Sequence, residues 1–319
     1  MAVAREPGSV RRPAADGSAS PRRQTGRTGQ PTRGVRQAPG AGGSAGFGRR
    51  APRRSAPRRR VPLHRRAFVP VLLGLGWGVL LLAAVNISPL ALACVLIPAA
   101  CLASLSIARS VPVRRAGGEP RRRAAREPDA ETSVLGLGVG AAVVCPLVAL
   151  AGPIPAFAST VVALVVGALV LQRAEASWRA SAELGFAVCL PAIAAAAVVA
   201  SAVQGANEGF ALVAALCAYD LGSFLMGNAR SATGGLPGIA GGVLSVAVVA
   251  IAVAAALDPP FSGARPWVLF GMVAVAAPAG VRLVELLVGP RRRPAVRRLD
   301  SFVLAAPAWV AAVAIVLHR

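Results

Sequence analysis

Nine runs of about 17 or more largely apolar residues occupy the chain from position 67 onward, at 67–85, 89–108, 133–151, 154–171, 184–203, 208–226, 236–256, 266–288 and 301–317. Nothing else in the sequence restricts the fold as strongly. Each run is long enough to cross the hydrocarbon core of a bilayer, about 30 Å thick, as one helix. The expected fold is therefore an all-α polytopic membrane protein with about nine transmembrane helices. The third and fourth runs are joined only by Gly152 and Pro153, so this pair also fits a re-entrant hairpin.

The connections between runs set an orientation. Seven Arg lie in 109–132, two in 172–183, Arg230 in 227–235 and five in 289–298. In the alternate connections, 86–88, 152–153 and 204–207 carry no basic residue, and 257–265 carries only Arg265. Basic loops stay on the cytosolic side of a membrane. The expectation is a multi-pass protein of the bacterial inner (plasma) membrane, N-terminus cytosolic and C-terminus external.

Ahead of the first run lies a segment of another kind. Residues 1–66 hold 17 Arg against only Glu6 and Asp16, and up to about residue 62 the remainder is mostly Pro, Gly, Ser, Ala, Thr and Gln. Such a stretch cannot bury enough apolar surface to offset its chain entropy. We read 1–62 as a disordered Arg/Pro/Gly-rich cytosolic tail and 63–319 as the helical membrane domain. The run from Arg49 to Arg60 has the charge to meet nucleic acid, but Phe47 is the only aromatic residue in the tail and no fold is indicated around it. An anionic-lipid or ribosome-proximal role fits better, and anchoring of the first span on the cytosolic side is the preferred reading. His64-Arg65-Arg66-Ala67-Phe68 is like a twin-arginine export signal, yet no clean cleavage site follows and eight more apolar runs do. The chain has no Lys, which we ascribe to a GC-rich genome, so its Arg content carries no recognition argument by itself.

Two familiar site chemistries are excluded. Cys94, Cys101, Cys145, Cys189 and Cys217 all fall within apolar runs with no CxxC spacing, and read as packing residues. The only two histidines are His64, beside the tail, and His318, at the opposite end, so neither a zinc site nor a His-activated nucleophile can form on the cytosolic side.

Charged residues within the runs are the candidates for function. Asp220 lies inside the sixth run, Arg282 and Glu285 sit three apart in the eighth, and Asp300 and Ser301 open the ninth just after Arg297 and Arg298. A carboxylate near a helix centre costs about 2.5–3.5 kcal/mol on insertion scales and by default faces a polar interior. In the assigned orientation all of these groups fall in the cytosolic half. Read blandly, they are ion pairs that hold helices together, with Arg297, Arg298 and Asp300 marking the water boundary.

The same residues carry a family resemblance. Asp220 to Gly227 (DLGSFLMG) resembles the D-x-x-A-Y-x-x-G segment of phosphatidate cytidylyltransferases, the CDP-diacylglycerol synthases, and Gly238 to Gly242 (GIAGG) resembles the G-x-x-G-G that opens their next helix. Leu283-Val284-Glu285 matches part of G-D-L-x-E-S. Arg298-Leu299-Asp300-Ser301, followed by Ala305-Ala306-Pro307, resembles D-R-x-D-S and the A-x-P of the last helix. The resemblance spans roughly residues 67–319, with its specific part in the last hundred. It implies a multi-helix membrane fold and transfer of a cytidylyl group from CTP to phosphatidate, in phospholipid biosynthesis. In that family carboxylates hold divalent metal on the triphosphate, and basic residues take up phosphate charge.

The departures bear on the reaction more than on the fold. The loop carrying S-P-x-K-T in the family shrinks here to 228–237 with no Lys, the Asp of G-D-L is Arg282, the Ser of E-S is Leu286, and the first Asp of D-R-x-D is Arg297. The K-R-x4-K-D and P-G-H-G-G stretch is replaced by residues 289–298. Asp220, Glu285 and Asp300 remain as catalytic candidates, and Asp300 is a metal ligand only if the chain is active, with Mg²⁺ the cofactor in that case. Arg291, Arg292, Arg293, Arg297 and Arg298 remain to cradle phosphates or lipid headgroups. Arg282, Glu285 and Asp220 are candidates for an internal charge pair, with Arg282 expected to point into the bundle. Three functions stay open: a degenerate member that binds lipid or a membrane partner, an active divergent enzyme, and an unrelated transporter. The first is preferred, because two metal-binding acids have become arginines that would repel a divalent cation. Against the transporter, the charges lie on one side only and no broken helix pair repeats across two halves. The expected partners are membrane lipids, including anionic phospholipid or phosphatidate, rather than nucleic acid; a homodimer is compatible with this reading.

Overall fold

The structure is a computed structural model, which describes residues 63–115, 127–172, 178–227, 235–257, 260–288 and 299–317. The tail 1–62, Arg291–Arg293, Arg297 and Arg298 lie outside the described residues. Among the described residues there are nine helices and no strand: α1 (Leu63–Ile87), α2 (Pro89–Arg115), α3 (Glu127–Ala149), α4 (Pro153–Gln172), α5 (Trp178–Gln204), α6 (Ala206–Met226), α7 (Leu236–Ala256), α8 (Arg265–Val288) and α9 (Phe302–Val316). Seven of them, α2 to α8, are long and apolar enough to cross a bilayer, while α1 and α9 contribute shorter apolar stretches, Leu72–Ile87 and Phe302–Val316. The chain is a helical, multi-pass membrane protein. The third and fourth runs form two separate helices of 23 and 20 residues.

Several helices outrun their apolar cores. The ends of α2 at Arg115, of α3 at Glu127 and of α5 at Trp178 extend into polar sequence. A helix satisfies its own backbone whatever surrounds it, so apolarity limits the membrane-embedded part and not the helix.

Successive helices are linked into hairpins by short turns. Ser88 alone separates α1 from α2, and its hydroxyl accepts the Ala91 N–H at 3.0 Å, the usual N-cap bond. Gly152, with φ 123°, turns the chain from α3 into α4, a backbone conformation that suits glycine. Gly205 separates α5 from α6, where the Gly209 N–H donates to its carbonyl. We call the end with these turns the turn end, and the end carrying the Arg-rich connections the basic end.

Helix α5 is the hub. Within its membrane window 83% of residues are buried, against 22% for α4 and 28% for α7, and it packs on α2, α3, α4, α6 and α9. Its middle reads Ala192-Ile-Ala-Ala-Ala-Ala-Val-Val-Ala200, small residues that let neighbours approach from every side. Gly185 of α5 meets the backbone of Gly167 on α4 in the same way. Pro191 within α5 leaves the Ala187 carbonyl without its helical donor; one residue on, the Ser104 hydroxyl of α2 donates to Val188 O at 3.0 Å and ties α2 to α5. The large exposed apolar side chains, such as Leu72, Val79, Ile154, Val162, Val248 and Val275, lie on the outside, where lipid would meet them.

The cysteines are packing residues. All five are free, and the buried thiols of Cys145 and Cys189 face the Ser159 and Ala163 carbonyls at 3.7 and 3.9 Å.

Candidate functional site

The charged candidates are carried by α6, by α8 and by the start of α9, and glycines fix how these elements meet. Helices α6 and α7 approach nearly backbone to backbone. A methyl group placed on Gly222 would collide with the Gly241 carbonyl and the Ser245 hydroxyl, and one on Gly242 would come within 2.6 Å of the Tyr219 ring. The seam locks Tyr219, which is 3% exposed, against α7. Its neighbour Asp220 is thereby set at the bundle edge, half-buried, about 21 Å along α6 from the turn end at 1.5 Å per residue. The Ser223 hydroxyl donates to the Asp220 backbone carbonyl at 3.0 Å.

On α8, Arg282 donates to Glu285 Oε2 through Nη1 at 3.0 Å. Two of the three charge-pair candidates therefore form a pair. The pair does not lie in the interior: the Arg282 side chain is 54% exposed and that of Glu285 26%. Arg282 thus points outward, against the expectation that it faces the bundle. The reason is its place on the helix. Gly280, Val281, Val284 and Val288 form the packed stripe of α8, and at 3.6 residues per turn position 282 lies about 200° around from 280.

Asp300 is on the other side. It is 2% exposed and Ser301 is fully buried, so Asp300 does not mark the water boundary. A methyl group on Gly280 would sit 2.8 Å from the Asp300 carbonyl and 3.3 Å from the Leu304 N–H. The missing side chain at Gly280 is what lets α9 begin inside the bundle, against α8 and α5. The charged candidates lie toward the basic end, yet α8 separates the outward Arg282–Glu285 pair from the buried Asp300, while Asp220 stands half-buried on α6. Among the described residues no three His, Cys, Asp or Glu side chains converge as a metal site would require.

Sequence reasoning missed a polar cluster toward the turn end. Gln204 Nε2 donates to Val310 O at 3.2 Å, joining α5 to α9, while Ser201 Oγ and Trp309 Nε1 are buried there without a hydrogen-bond partner. Trp309 packs edge-on against Phe270 with ring centres 5.5 Å apart, and Phe261 adds a third ring. Gln204 follows an apolar run and Trp309 lies within one; neither is charged, so neither stood out.

The fold and site define a polytopic helical membrane protein whose candidate charged groups, Asp220, Arg282, Glu285 and Asp300, lie toward one end of the bundle. No family model, curated protein or solved structure matches the chain.

Proposed function

We propose that this chain is a non-catalytic membrane protein that holds anionic phospholipid headgroups at its basic end, and that it is a degenerate relative of the phosphatidate cytidylyltransferases. The observation that carries the reading is the division of the acids by α8. Phosphoryl-type transfer needs carboxylates gathered around metal and phosphate. Here Glu285 is taken by Arg282, and Asp300 is buried on the opposite side of the helix. The outward Arg282 instead presents its guanidinium at the basic end of α8, where a phosphate or carboxylate headgroup would find it. The proposal includes residence in a bacterial plasma membrane with the basic end and N-terminus cytosolic, supported by the one-sided Arg distribution.

The test uses the full chain in nanodiscs of phosphatidylcholine containing phosphatidate, with and without CTP and Mg²⁺. Retention of phosphatidate over phosphatidylcholine, reduced by R282Q, with no CDP-diacylglycerol formed, is the expected result. CTP- and Mg²⁺-dependent turnover would overturn the non-catalytic reading, and equal retention of the two lipids would overturn headgroup binding.

A further inference from the structure

At the turn end, away from Arg282, α7 and α8 part from one another. Helix α7 is drawn against α6 by the glycine seam, and α8 is drawn against α9 by Gly280 and by Phe270 against Trp309. Pulled to opposite sides, α7 and α8 splay, and between them lies a furrow of about 180 Å³ lined by Val243, Val246 and Ala250 on one wall and Trp267, Phe270 and Gly271 on the other. Its walls offer no polar side-chain group but the Trp267 indole. Apolar cavities of about 150 Å³ stay dry and take up hydrocarbon, so the chemistry of the furrow fits an alkyl chain rather than water.

Two features at its mouth narrow the occupant. Arg265 begins α8 two residues before Trp267, is exposed, and forms no ion pair among the described residues. It is the only basic residue in the connections of this end, 86–88, 152–153, 204–207 and 257–265. Trp267 is 54% exposed beside it, in the manner of indoles at a membrane interface. A cation, an interfacial tryptophan and an apolar furrow running from them toward the middle of the span follow the order of a phospholipid: phosphate, glycerol, acyl chain. Gly271 keeps the furrow open, because a side chain there would meet no protein atom within 4 Å.

We propose that the α7–α8 furrow holds one acyl chain of an anionic phospholipid whose phosphate rests on Arg265, a site separate from the one at Arg282. It is occupied from the leaflet at the turn end, and the lipid fills the wedge that the two glycine-driven packings leave.

Trp267 reports on the site directly. The full chain is reconstituted in phosphatidylcholine vesicles containing phosphatidylglycerol, with dibrominated acyl chains on one lipid or the other, and quenching of Trp267 is taken as the difference from W267F. In the wild type brominated phosphatidylglycerol quenches Trp267 more strongly than brominated phosphatidylcholine at equal mole fraction. R265Q lowers that preference about five-fold, the effect of one cation near an anionic surface, and R282Q leaves it unchanged. G271L fills the furrow and lowers quenching by both lipids; G271A does so partially and serves if the larger residue prevents folding. Equal quenching by the two lipids in the wild type overturns the proposal. So does a preference that survives R265Q, or that is lost with R282Q instead, which would return the lipid to the basic end.

Discussion

Replacing Gly222 with Ala tests the packing that positions Tyr219 and Asp220. The added methyl falls on the Gly241 carbonyl oxygen and the Ser245 hydroxyl, with the Gly241 carbonyl carbon at 2.9 Å. Ser245 can rotate away, giving up its bond to Gly241 O at 3.0 Å, but a carbonyl inside a helix can yield only if α7 moves. Overpacking of this kind costs about 1–3 kcal/mol, and a clash with backbone belongs at the upper end. Ala also returns about 1 kcal/mol as the better helix former. The net is a loss of about 1–2 kcal/mol. Gly140→Ala on α3 is the control, since a side chain there meets nothing within 4 Å and only the propensity gain remains. Unfolding in mixed micelles, followed by tryptophan fluorescence across a denaturing-detergent titration, should shift to lower detergent for G222A and stay level or rise for G140A. G222A as stable as the wild type would refute the backbone contact between α6 and α7 and, with it, the placement of Asp220.

Other expectations follow from the same structure. Ser104→Ala removes the hydroxyl that serves the Val188 carbonyl beside Pro191 and should cost about 0.6 kcal/mol, the average for hydrogen bonds between membrane helices; a loss above about 2 kcal/mol would mean that Ser104 has a further role. R282Q breaks a pair whose Arg side chain is 54% exposed and whose Glu is 26% exposed, so its effect on stability should stay within about 1 kcal/mol, and a melting shift corresponding to about 3–5 kcal/mol would show that the pair behaves as a buried one. In a cysteine-free background, single cysteines at Arg121 and Arg292 should react only from the cytosol and one at Ser262 only from outside; labelling of position 121 from outside would reverse the orientation. Deletion of residues 1–55 should leave the helical body inserted, which protease protection of the remaining chain would report.

The sequence announced the helices plainly because apolarity sustained over a span is local and survives any arrangement of neighbours. The runs at 236–256 and 266–288 fall within a residue of α7 and α8. Arrangement was another matter. Asp300 beside Arg297 and Arg298 reads as an interfacial residue, since nothing local reveals that Gly280, twenty positions earlier, makes room for it inside the bundle. Arg282 shares a helix with the packed stripe but not its face, and the choice of face is made by α9, which the eighth run does not encode. The glycines of the sixth and seventh runs were legible as a motif; that they bring α6 and α7 into backbone contact required the partner helix.

The smallness of the α5 side chains bears on how the chain assembles. Synthesised in order, α5 reaches the membrane while α6, α8 and α9 have yet to follow, so the faces they will later cover are first turned toward lipid. Had those faces been polar, to be satisfied by partners still unmade, the helix would resist insertion; had they been bulky, each later helix would have to displace side chains already settled among lipid tails. Alanine and valine avoid both difficulties, being tolerable in hydrocarbon and yielding little surface when a neighbour closes over them. The composition of α5 therefore suits two successive environments, a provisional lipid one and a final protein one, and it lets α6, α8 and α9 dock on a surface that need not rearrange to receive them.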